Sequence, residues 1–150
     1  MIAKVESGAS SPTAGLLGRL CAGLGVTLST LMMESEYSGV TYHPAAEQPS
    51  WRDPATGLER TLVAPASARS PVEIARLRVP AGAVVEYNLT PSRWTRQHLV
   101  MLSGALQFTI GSESNLLGPG DSLFALIDRP TRFEVPGDAP AEYLVIQEPG

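Results

Sequence analysis

Two histidines, His43 and His98, and one cysteine, Cys21, are the whole soft-ligand inventory of a 150-residue chain. Structural zinc takes four donors, so a cluster here would need carboxylates or a second chain to complete it. The single thiol also excludes an intrachain disulfide framework. His43 sits between Tyr42 and Pro44 with no second ligand at useful spacing, and His98 follows Gln97, on the opposite face of any regular strand that holds both. Both histidines read as structural or surface side chains. A nucleophile is no better supported. Ser103-Gly104 and Gly111-Ser112-Glu113-Ser114 lack a strand-to-helix context and an adjacent base. Gly118-Pro119-Gly120-Asp121 reads as a turn, because no helix follows to offer a phosphate its N-terminus. Cys21 lies in a leucine-rich run and reads as a small buried hydrophobe.

The arginines are more informative. Arg93 and Arg96 flank Trp94, and Arg129 and Arg132 flank Pro130-Thr131. Guanidinium groups in pairs offer bidentate contacts to a carboxylate or phosphate, and an indole nearby supplies an apolar wall, which together describe a small-molecule effector pocket. The same arginines can instead pair with Glu86, Asp128, Glu134 or Glu142 on neighbouring strands and stay solvated. Both readings stand on the sequence alone. Eleven basic and fifteen acidic side chains give a net charge of −4, so there is no global positive field for nucleic acid or anionic lipid. Any DNA contact must be local.

The elements that position these residues follow from composition and period. Hydrophobic residues make up 43% of the chain, enough for one packed core. Fourteen glycines and thirteen prolines exceed the roughly 12% usual share and point to many short strands. From Pro12 to Met33, Leu16, Leu17, Leu20, Leu24, Leu28 and Leu31 recur at three- and four-residue steps, an amphipathic helical stripe. Ser11-Pro12 supplies an N-cap and first helical proline, and Gly25 a C-terminal glycine, which predicts a helix from Pro12 to Leu24. Thr27 then caps a second short helix through Met32 or Met33. Residues 34–59 carry scattered Pro, Gly, Ser and Glu with no period and read as a linker that Trp51 anchors. From Arg60 on, apolar runs alternate with turn signals about every ten residues, as in a sandwich or barrel. Strands are expected near 60–64, 72–79, 83–88, 98–102, 105–110, 115–117, 122–126, 131–134 and 142–147. The turns between them are Pro80-Ala81-Gly82, Ser103-Gly104, Gly111-Ser112, Gly118 to Asp121 and Pro136-Gly137-Asp138. No run of about 18 apolar residues and no signal-peptide start is present, so a soluble cytoplasmic protein without a membrane partner is expected.

Two resemblances organise these elements. Lys4 to Thr13, followed by Leu17, Leu20, Ala22, Leu24-Gly25-Val26 and residues 28–31, resembles the second half of a lambda-repressor-like (XRE family) helix-turn-helix domain. The resemblance implies that residues up to Gly8 form the tail of the recognition helix, with Lys4 and Ser7 as its remaining DNA-facing residues, and that the first helices lie before Met1. The second part, from about Trp51 to Glu148, is similar to the cupin jelly roll. Gln97 to Leu106 matches the close of the first cupin motif, Gly118-Pro119-Gly120-Asp121 opens the second, and Phe133 and Pro136-Gly137-Asp138 continue it.

These likenesses imply a mainly β fold: a cupin barrel over residues 60–150, preceded by a partial helix-turn-helix over 1–33 and the linker. The four family metal-ligand positions fall on Pro91, Arg93, Gln97 and Thr131. A proline, a guanidinium, an amide and a hydroxyl do not replace three imidazoles and a carboxylate, so no metal and no cofactor are expected. Arg93, Trp94, Gln97 and Thr131 become the candidate ligand-binding residues, Arg93 the foremost because it holds an inward position in the family pattern. The implied protein is a bacterial transcriptional regulator and not an enzyme. It is a homodimer joined through cupin sheets, binding a small effector in the barrel and DNA in its full-length form. Lys4 and Arg19 against Glu6, Glu34 and Glu36 leave the helical segment at −1, so weak or no DNA binding is expected of these 150 residues. Two alternatives remain: a metal-independent cupin isomerase or epimerase using His98 or an inward glutamate as base, and a stand-alone binding module.

Overall fold

The computed structural model describes residues 13–25, 39–67, 69–88 and 95–149. The chain divides into two compact units, Met1–Tyr42 and His43–Gly150. In the first, one helix, α1 (Ala14–Leu24), is described. Its N-cap is Thr13, whose hydroxyl accepts from the Leu16 amide at 3.3 Å, so the cap lies two residues beyond the Ser11 expected from the Ser-Pro pair. The C-terminus ends as the sequence predicts: Gly25 turns left-handed at φ 67° and its amide reaches the Cys21 carbonyl. Cys21 itself is buried. The second short helix expected from Thr27 lies outside the described residues.

The second unit is two antiparallel sheets. Ten strands are described: β1 (Ser50–Arg52), β2 (Glu59–Ala64), β3 (Glu73–Val79), β4 (Val84–Tyr87), β5 (Thr95–Ser103), β6 (Leu106–Ile110), β7 (Glu113–Leu117), β8 (Ser122–Ile127), β9 (Thr131–Glu134) and β10 (Ala141–Pro149). One sheet runs β1-β2-β3-β10-β5-β8 and the other β4-β9-β6-β7. Nine of these strands coincide with expected ones to within a few residues. β1 does not: Ser50-Trp51-Arg52, read as linker, pairs with β2 in the register Trp51↔Arg60. The intervening turn explains the pairing. Asp53 accepts from the Ala55 and Thr56 amides at 3.1 and 3.3 Å and from the Thr56 hydroxyl at 2.5 Å, folding the chain back through Gly57. Trp51 is 58% exposed, so the hairpin is held by backbone pairing and not by its indole.

Strand alternation puts the core between the sheets. In β3, Ala75, Leu77 and Val79 are buried while Arg76 and Arg78 are exposed. The register lines up inward rows across the larger sheet: Leu77, Tyr143 and Met101 in one, Ala75, Val145 and Leu99 in the next. The smaller sheet answers with Val85, Phe133 and Phe108 in a third row. Those rings are in contact, Phe108 and Phe133 at 4.9 Å between centroids and Phe133 and Tyr143 at 6.3 Å and nearly parallel. At the β5–β6 corner, Gly104 takes φ 75°, and an added Cβ would come 2.3 Å from the Pro140 carbonyl oxygen. Two backbones cross there at a distance only glycine permits.

Candidate functional site

One end of the barrel is polar because the inward rows change character along the strands. Two residues past Leu99 and Val145, the same faces present Gln97 on β5, Gln147 on β10 and Glu73 on β3, side by side in register. Across from them the smaller sheet places Tyr87 and Thr131 opposite one another. Gln97, Gln147, Tyr87 and Thr131, with the core residues next to them, line a cavity of about 690 Å³. Its apolar wall is Leu58, Leu77, Val85, Ile127, Phe133 and Val145; Tyr143 forms part of its floor, and Arg60, Glu86, Asn88, Thr95 and Arg129 complete the polar side. The size falls in the range of small-molecule sites, which are mostly apolar with a few placed polar groups.

The charged side chains around this cavity are neutralised in pairs. Arg60 donates to Glu73 Oε1 at 2.5 Å, and the Gln147 amide donates to the same oxygen at 2.8 Å. Arg129 grips Asp128 with two bonds, 2.6 and 3.0 Å, a fork that holds the aspartate below its usual carboxylate range and pushes the guanidinium up. Arg132 bridges Glu86 at 3.2 Å and Glu134, and Arg96 approaches Glu148 at 3.8 Å. The structure therefore shows ion pairing to a neighbouring strand for Arg96 and Arg132, and with the adjacent Asp128 for Arg129.

The uncharged groups are placed differently. Tyr143 is 1% exposed, Thr131 is 6% exposed, and Gln97 is half-buried. None of their side-chain polar atoms has a hydrogen-bond partner among the described residues, although all three side chains line the cavity. Burial pushes the Tyr143 phenol well above its ordinary value, with the nearby Tyr87 hydroxyl adding to the effect. Tyr87 is also raised by burial, against the opposing pull of Arg60.

Of the four sequence-predicted ligand-binding residues, the structure brings Gln97 and Thr131 to one cavity from opposite sheets. Arg93 and Trp94 lie outside the described residues, as does Pro91; so do Lys4 and Ser7, the candidate DNA-facing pair. His98 is exposed on the outer face, its ring 4.9 Å from Phe124, as its odd spacing from Gln97 requires. The sequence reading missed Tyr143, Gln147, Arg60 and Tyr87. The signal for two of them was available: Tyr143, Val145 and Gln147 alternate along an expected strand and must share a face.

The donor set does not suit the metal that the fold's enzymes imply. At the matching positions the cavity presents an amide from Gln97 and a hydroxyl from Thr131, neutral oxygen donors far weaker than imidazole or carboxylate toward a first-row ion. Among the described residues no three His, Cys, Asp or Glu side chains are grouped to hold one.

With the geometry in view, comparison with known proteins defines the class. No protein-family model matches the chain, and no curated protein does. Solved structures do. A cupin domain of an XRE family transcriptional regulator from Enterobacter cloacae superposes with a TM-score of 0.57 at 18% identity, covering 61% of this chain and 95% of that one. An HTH_3 family transcriptional regulator from Vibrio cholerae gives 0.58 at 16% identity over 99% of this chain and 78% of its own. The enzyme FeII HppE gives 0.63 at 18% identity, over 91% and 77%. The fold is a mainly β cupin jelly roll, with a short helix in the N-terminal unit. That fold is shared by regulators and enzymes. Among the described residues, no helix is long and apolar enough to cross a membrane.

Proposed function

We propose that the chain acts as a cytoplasmic bacterial transcriptional regulator in which the cupin barrel senses a small effector and joins two subunits, and the N-terminal unit belongs to the DNA-binding part. The observation that carries this reading is the cavity: of ligand size, and furnished at two family ligand positions with Gln97 and Thr131, side chains that hydrogen-bond a molecule but do not anchor a metal. The likeness to two regulators, one of them spanning 99% of this chain, supports the same conclusion. An effector in the cavity touches strands of both sheets at once, β5 and β10 on one side and β4 and β9 on the other. Its binding energy therefore favours one relative setting of the sheets, and a dimer joined through a sheet transmits that setting to the DNA-reading parts.

The enzymatic alternative requires a general base in the barrel. Among the described residues, the carboxylate of Glu86 lines the cavity and is paired with Arg132, and His98 is exposed on the outer face, which supports the binding reading. Light scattering on the purified chain tests the assembly: the reading expects twice the 15.9 kDa chain mass, and a monomer at micromolar concentration contradicts it. The same sample mixed with random duplex DNA is expected to retain little of it at physiological salt. Sequence-specific retention that survives salt would contradict the expectation that the acidic helical segment binds DNA weakly.

A further inference from the structure

The geometry points to an uncharged, ring-bearing molecule with a hydrogen-bonding head as the ligand class of the barrel cavity; this rests on the cavity being the sensing site. Three observations carry it. First, among the described residues, the charged side chains that line the cavity are already matched: Arg60 by Glu73, Arg129 by Asp128 and Glu86 by Arg132. These pairs leave little net charge at the cavity to attract an ion, which would also shed part of its hydration against the apolar wall. Second, the groups left without partners among the described residues are neutral. The Tyr143 and Thr131 hydroxyls, both on side chains more than nine-tenths buried, and the Gln97 amide line the cavity with their hydrogen-bonding capacity unspent. Among the described residues no fully buried side-chain oxygen or nitrogen lacks a partner, so these groups open onto the cavity, where a ligand carbonyl, amide or hydroxyl between the two sheets can pair with them. Third, the wall beside them is aromatic. Phe133 lies parallel to Tyr143 and meets Tyr87 edge-on at 5.8 Å, with Leu77, Val85 and Val145 behind, a surface suited to the face and edge of a ring.

The Tyr143 phenol is a dependable donor in this arrangement, since its surroundings keep it protonated throughout the physiological range. A matched set of probes that share one body and differ in head-group charge tests the class directly: indole-3-acetamide (neutral), indole-3-acetate (anionic) and tryptamine (cationic), titrated calorimetrically into the intact chain at pH 7.5. The amide is expected to bind at least about tenfold more tightly than either charged analogue, a margin of about 1.4 kcal/mol. Tyr143→Phe and Thr131→Val should each weaken the amide severalfold and leave the charged probes unchanged. The rank order in the unmodified protein decides the matter even if a variant fails to fold. Acetate or tryptamine binding as tightly as the amide overturns the proposal, as do amide affinity unchanged in two folded variants and a barrel that takes none of the three. The regulator reading fails on other readouts, the chain mass in solution and host transcript levels on loss of the protein, so the two failures are separable.

Discussion

Tyr143 carries more of the account than any other single residue. It sits in an inward row between Leu77 and Met101, lies parallel to Phe133, and lines the cavity. Its raised pKa has a consequence for stability. The native state holds the phenolic proton more tightly than the unfolded chain, whose tyrosines titrate near 10, so the native state is favoured below that value and loses ground as pH rises above it. Above pH 10 the loss approaches about 1.4 kcal/mol per pH unit. Denaturant unfolding from pH 8 to 11.5 should show this slope in the wild type and lose it in Tyr143→Phe. Parallel profiles would mean that the phenol is not shielded from water. At this scale the sequence was half legible. Gln97 and Thr131 come from the cupin resemblance, by counting back from Gly104 and forward from Gly120 along its motifs, and both line the cavity. Whether an arginine meets a ligand or a neighbouring glutamate depends on which strands lie side by side, and that is set by long-range pairing.

Among the elements, the strands and corners from Arg60 onward were readable, because alternation and turn residues are local signals. The β1–β2 hairpin was not. Ser50-Trp51-Arg52 is too short to show a period, and its pairing comes from the Asp53 turn, whose proline and glycine read equally well as linker. The cap of α1 was misplaced for a similar reason: Ser11 and Thr13 are both competent caps, and only the backbone conformation selects between them. The β5–β6 corner gives the sharpest energetic test. Gly104→Ala would combine a left-handed backbone with a Cβ driven into the Pro140 carbonyl, and should cost at least about 3 kcal/mol. Gly82→Ala, equally left-handed but with open space around the added carbon, should cost only about 1 kcal/mol. Chemical denaturation of both variants separates steric crowding from backbone strain, and equal losses would show that the crossing at Gly104 relaxes freely.

On the scale of the whole molecule, the chain divides into Met1–Tyr42 and His43–Gly150, where the leucine stripe and the turn signals suggest a helical segment over 1–33, a linker and a barrel from 60. What the sequence could not reveal was the chemical temper of the barrel interior. The arginines at both motif regions left an anion site and pairing with neighbouring carboxylates equally open; the structure pairs Arg96, Arg129 and Arg132 with carboxylates, and Arg93 lies outside the described residues. The regulator account depends on that interior controlling gene expression. Transcript profiling of the host therefore tests it most directly, comparing a strain lacking this protein with strains supplied with the wild type or with Tyr143→Phe. The account predicts that loss of the protein shifts a small, defined set of transcripts, that the wild type restores them, and that the cavity variant, present at equal abundance, does not. Transcript levels indifferent to the protein's loss would contradict it.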